Sequence, residues 1–87
     1  MDFEYDPEKS TANLAKHGID FERAQALWDD VRMLQASART SDEPRQIIVG
    51  MIEGKHWSAI FVPRGGKVRI ISVRRARKEE IERYESA

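Results

Sequence analysis

Arg45–Arg75 reads RQIIVGMIEGKHWSAIFVPRGGKVRIISVRR, and the way it divides decides the fold. Three apolar runs, Arg45–Glu53, His56–Val62 and Lys67–Arg75, are separated by Gly54-Lys55 and by Pro63-Arg64-Gly65-Gly66. Runs rich in β-branched and aromatic residues between Gly and Pro breaks are strands, and breaks this short join antiparallel neighbours. Working outward, Val31–Ala36 predicts one more strand and Ser37–Pro44 a polar loop. Lys78–Ser86 predicts a charged helix with Ile81 and Tyr84 on one side.

The amino-terminal third changes period. Phe3 and Tyr5 alternate with Asp2, Glu4 and Asp6, the pattern of a short half-buried strand. Asp6 can cap a helix that has Pro7 at its first position and Glu8 near the positive end of its dipole. Leu14, with Thr11 and Ala15, marks the stripe of that helix, and Gly18 is placed to end it. Asp20 caps a second helix bearing Phe21, Ala24, Ala26 or Leu27, and Trp28, which ends near Asp29-Asp30. The order is β-α-α-β-β-β-β-α. This is an α+β fold, a mostly antiparallel sheet of about four to five strands with two amino-terminal helices and one carboxy-terminal helix, and residues 1–87 make one domain. Residues 47–52 and 59–62 are apolar at successive positions, whereas a sheet with one wet face alternates. The second apolar face therefore needs a cover, either the carboxy-terminal helix or a partner protein.

Composition narrows the function. There is no cysteine, so disulfides, thiolate zinc sites and cysteine nucleophiles are excluded. His17 and His56 have no metal-ligand spacing, and no metal or cofactor is expected. The acidic start has no apolar segment of a signal peptide and no run approaches a membrane span, so the expected home is the cytoplasm, with no membrane partner. Fifteen Lys and Arg balance fifteen Asp and Glu, yet residues 1–44 carry five basic and ten acidic side chains and residues 45–87 carry ten and five. Seven cations and no acid lie between Arg64 and Lys78. Such a run points to a phosphate ligand, because arginine presents a planar fork of donors to phosphate oxygens. A charged edge strand protecting against aggregation has the same composition. Lys16-His17-Gly18 forms a second cluster, with Lys9 and Asn13 on the same helical face. Glu43, Glu80 and Tyr84 have acid–base chemistry, but their spacing does not separate them from surface charge and core aromatic. Trp28 and Trp57 read as core.

Two stretches together resemble a known family. The opening, Phe3-x-Tyr5-Asp6-Pro7-x-Lys9-x3-Asn13-x2-Lys16-His17-Gly18-Ile19-x-Phe21-x2-Ala24, is similar to the start of the BrnT toxins of type II toxin–antitoxin systems. Gly50-x3-Gly54-Lys55, Arg64-Gly65 and Arg69-Ile70-Ile71-Ser72-Val73-Arg74-Arg75-Ala76-x3-Glu80-x3-Tyr84 resemble that family's final strand and helix. Trp28 departs from the commoner Phe, and Val62-Pro63 stands where Thr or Tyr is frequent. The resemblance implies a RelE-like ribonuclease. It also implies a BrnA-type antitoxin as partner, expected in a 2:2 complex, with operator DNA bound only through that antitoxin. Carried onto this chain, Arg74 with Arg69 or Arg64 is expected to hold the scissile phosphate of an RNA substrate. His17 is expected to move the proton, with Lys16 as the alternative, and Lys9, Arg75 and Arg77 to bind the substrate backbone. The alternative is a non-catalytic module whose basic strand docks RNA or an acidic partner.

Overall fold

The computed structural model describes residues 1–38 and 44–86. In chain order these form β1 (Asp2–Glu4), α1 (Pro7–His17) and α2 (Phe21–Ala24), which continues as a 3-10 turn over Gln25–Asp29. β2 (Leu34–Ala38), β3 (Arg45–Ile52), β4 (Lys55–Arg64), β5 (Lys67–Arg75) and α3 (Lys78–Ser86) follow. The sheet order is β1-β5-β4-β3-β2, antiparallel throughout except that β1 lies parallel to β5. The expected α+β class and helix arrangement are those observed.

The caps form as their residue types dictate. Asp6 accepts from the Glu8 N–H at 2.9 Å and Asp20 from the Arg23 N–H at 2.7 Å, and Gly18 closes α1 with φ of 82°. The two long hairpins turn on Glu53-Gly54 and Gly65-Gly66, each pair at positive φ, which matches the twist of adjoining strands and favours glycine. Strand β4 therefore begins at Lys55, which the sequence reading placed in the turn, and runs through Pro63 to Arg64, two residues beyond the expected end.

One face of the sheet, Ile48, Ile52, Trp57, Ala59, Phe61, Val68, Ile70 and Val73, packs on Ile19, Phe21, Ala24 and Leu27 to make the core. Phe3, Trp28 and Phe61 add edge-to-face ring contacts at its border. In β5 the apolar parity changes between Ile70 and Val73, and a bulge opposite Ile60/Phe61 absorbs the change. Val68, Ile70 and Val73 thereby share the core face, while Arg69, Ser72 and Arg74 share the opposite face. Helix α3 lies on that opposite face, partly covering the second apolar surface.

Two expectations are corrected. Strand β2 begins at Leu34 rather than Val31, because Asp30 caps a turn through the Arg32 N–H and the Met33 N–H, leaving Val31 fully exposed. Leu14 is not on a buried stripe; it is half exposed, and α1 instead buries Ser10 and Asn13. The reason is its position. Beyond the short β1, the outer edge of β5 is open, and the Asn13 amide closes it, donating to Val73 O at 2.9 Å and accepting from Val73 N at 3.2 Å. The same amide donates to Ile19 O, and the Ser10 hydroxyl accepts from Phe21 N. An edge of unpaired backbone groups calls for polar side chains, not leucine.

Candidate functional site

The cations of the Arg64–Lys78 run do not form one patch. Arg64 and Lys67 face each other across the β4–β5 turn, whereas Arg75 lies at the far end of β5, roughly 26 Å away at ~3.3 Å per residue. Arg75 turns toward the core face, stacks over Trp57 with its guanidinium carbon 5.4 Å from the ring centroid, and donates from Nε to His56 O. Arg77 and Lys78 are exposed at the start of α3. Arg69 pairs loosely with Glu4 on β1, at 4.0 Å.

Arg74 is the cation that the fold fixes. It leaves β5 on the α3 face, opposite Ser58 in the register, and meets Glu80 in the first turn of α3. Two parallel bonds join them, Nη1 to Oε1 at 2.8 Å and Nη2 to Oε2 at 2.9 Å. Glu80 also accepts from the Ser58 hydroxyl at 2.9 Å and from the Arg77 N–H at 2.8 Å, the latter satisfying a free donor at the start of the helix. The guanidinium hydrogen bonds, helped by Arg77 N–H and Ser58, outweigh burial and hold the Glu80 carboxyl at about 2. Glu80 in turn raises Arg74 above the ordinary arginine value against the effect of burial. Glu80 is thus a permanent carboxylate that aims Arg74. With so low an affinity for protons it is a poor general base.

On the same face, two residues along β4 from Ser58, the His56 Nε2 lies 2.7 Å from Glu85 Oε2, and its ring stands edge-on to Tyr84. Tyr84 is buried and donates to Asp30 Oδ2 at 2.6 Å; burial first, then this bond to a carboxylate, push its hydroxyl up to about 12. Burial would raise Asp30, but bonds from Tyr84, the Arg32 N–H and the Met51 N–H prevail and hold it below the ordinary value. Asp30 therefore ties the end of the 3-10 turn, β3 and α3 together beneath the histidine.

His17 and Lys16 end α1, whose contact with β5 is made along the strand's outer edge by Asn13. No hydrogen bond or ion pair links His17, Lys16 or Lys9 to Arg69 or Arg74 among the described residues. Asn13, read in the sequence as part of their polar face, is buried and structural. Glu43 lies outside the described residues. Among those residues no three His, Asp or Glu side chains gather where they could hold a metal ion. Sequence reasoning passed over His56 because its partner is 29 residues away, beyond any local spacing. For Glu80 a signal existed, an acid three residues after the helix start and six after Arg74.

Residues 5–80 match a family described as the ribonuclease toxin BrnT of type II toxin–antitoxin systems. The chain belongs to that family. No curated protein matches it. The BrnT match takes in β3–β5 and closes on Glu80, so it spans Arg69, Arg74, His56 and the carboxylate that aims Arg74. Membership makes this BrnT chain a ribonuclease toxin with an antitoxin as its partner. Among the described residues no helix is long and apolar enough to cross a membrane.

Proposed function

We propose that the chain is an endoribonuclease that cleaves RNA without a metal ion, on the α3 face of β5 around Arg74, and so arrests translation and growth in the cytoplasm. The observation that carries this reading is the fixed Arg74 guanidinium, held in two-point contact by Glu80 yet still about one-fifth exposed. RNA brings its own nucleophile. The 2′-OH attacks the adjacent phosphorus, a P–O bond to the 2′ oxygen forms, and the bond to the 5′ oxygen breaks. One proton leaves the 2′-OH and one reaches the departing 5′ oxygen. A rigid cation beside the phosphoryl oxygens offsets the charge that grows there, without any reorganisation at the moment of reaction.

For the proton we assign His56, on the same sheet face as Arg74 and oriented by Glu85 as a carboxylate orients a catalytic imidazole. His17, the choice from sequence, and Lys16 end the helix at the strand's outer edge and are the alternative. Arg69 lies on the Arg74 face but roughly 15 Å along the strand, so the two grip different phosphates. Arg64, Arg75 and Arg77 then serve the flanking backbone, and a BrnA-type antitoxin neutralises the chain.

The test is incubation of the purified chain with RNA in EDTA, followed by mass analysis of the ends. Fragments ending in 2′,3′-cyclic phosphate and 5′-hydroxyl support the reading. Cleavage only after a divalent ion is restored overturns metal independence. Salt-sensitive binding with no cleavage in either condition overturns the enzyme reading in favour of a binding module.

A further inference from the structure

The second apolar face is only partly covered by α3. Between that helix and strands β2 and β3 runs a groove of about 370 Å³. Leu34 and Ala36 of β2 and Ile47 and Val49 of β3 form its floor, placed side by side by the pairs Leu34↔Val49 and Ala36↔Ile47. Leu34, Ala36 and Ile47 are only partly buried, in a molecule whose opposite sheet face is sealed. The helical wall carries Arg77 and Arg83, both exposed, and neither has an ion-pair partner among the described residues. Glu80 also reaches the wall, but its carboxylate is already engaged by Arg74, Ser58 and the Arg77 N–H. The groove is therefore greasy below and net positive at the rim.

We infer that this groove receives a segment of the antitoxin with apolar side chains along one side and Asp or Glu along the other. The inference rests on the family's antitoxin partnership and assigns it a surface. Charge complementarity selects the acidic side, since two unpaired arginines beside an apolar floor steer and orient carboxylates. The floor selects protein over RNA. Apart from Ser37 at its side it is aliphatic, with no ring on which a base can stack, and phosphates gain nothing from Leu34, Ile47 and Val49. Occupancy has a functional consequence, because the same α3 turn that supplies Arg77 and Glu80 to the groove holds Arg74 on its other side. An antitoxin seated there crosses the approach to the phosphate site.

The experiment measures the affinity of the full chain for its cognate antitoxin and, in parallel, for a short synthetic RNA. Ala36→Trp fills the floor, Arg83→Glu reverses the rim, and Lys55→Glu on the distant β3–β4 turn is the charge-matched control. The inference expects Ala36→Trp and Arg83→Glu each to weaken antitoxin binding about tenfold or more, the Arg83→Glu effect shrinking at high salt, with Lys55→Glu close to wild type. Ala36 and Arg83 lie outside the core, and circular dichroism of each variant verifies the fold. Wild-type binding matched by both groove variants overturns the groove assignment and leaves the antitoxin partnership intact. Absence of wild-type binding overturns the partnership and the assignment together. A loss of RNA affinity with antitoxin affinity unchanged gives the groove to the substrate and overturns the inference.

Discussion

Replacing Glu80 by Gln keeps the side chain's shape but removes the charge that receives Arg74, Ser58 and the Arg77 N–H. The Glu80 carboxyl titrates at about 2 in the folded chain against 4.5 for the ordinary group. That difference, at ~1.4 kcal/mol per pH unit, sets a ceiling of roughly 3 kcal/mol on what ionisation contributes. Arg74 and Glu80 are 21% and 20% exposed, so water screens the pair, and a loss of about 1–2 kcal/mol is expected. For a chain of this size that lowers the melting temperature by roughly 5–15 °C. The sign follows from the depressed value: the contribution is complete above the unfolded value of 4.5 and disappears as pH falls toward 2. Thermal denaturation of wild type and Glu80→Gln, followed by circular dichroism at neutral pH and stepwise into acid, measures it. The gap between the two curves should be widest at neutral pH and close progressively below pH 4.5. Equal melting at neutral pH, or a gap that persists unchanged near pH 2, refutes the reasoning.

Asn13→Ala strips the open edge of β5 of its amide, leaving Val73 N–H and C=O without their partner, and should cost about 2–4 kcal/mol in urea denaturation. Gly50→Ala places a methyl group 3.1 Å from Leu27 Cδ2 and 3.2 Å from Asp30 Oδ2, and the same assay should register a loss of about 1–3 kcal/mol. In RNA cleavage, His56→Ala should slow the reaction about 100-fold and cost more than His17→Ala. The reverse order returns the proton-transfer role to His17.

The fold was legible where local chemistry decides it. Asp6-Pro7 and Asp20 start helices, Gly18 stops one, and Gly54 and Gly65-Gly66 mark the hairpin turns, all within a few residues. What stayed hidden depends on partners distant in sequence. The parity of β5 conflicts on paper because one extra residue is absorbed in a bulge that only the pairing with β4 reveals. The buried face of α1 reads as polar surface because Asn13 answers an open strand edge 60 residues away. The candidate site divides the same way. Arg69 and Arg74 stand out by charge, whereas His56 acquires a partner only when α3 folds back over β4. A linear run of cations says nothing of alternating faces, which is why Arg74 and Arg75, adjacent in the run, leave β5 on opposite sides, one to Glu80 and one to Trp57.

The account depends most on Arg74 acting as the fixed cation of a metal-free cleavage site. The direct measurement is the rate at which wild type and Arg74→Ala cut a short synthetic RNA in EDTA, with the variant's fold verified by circular dichroism. The account predicts that wild type yields cyclic-phosphate ends and that Arg74→Ala is slower by about 10²–10³-fold. Equal rates for the two proteins, or a wild type that stays inert until a divalent ion is added, would contradict it.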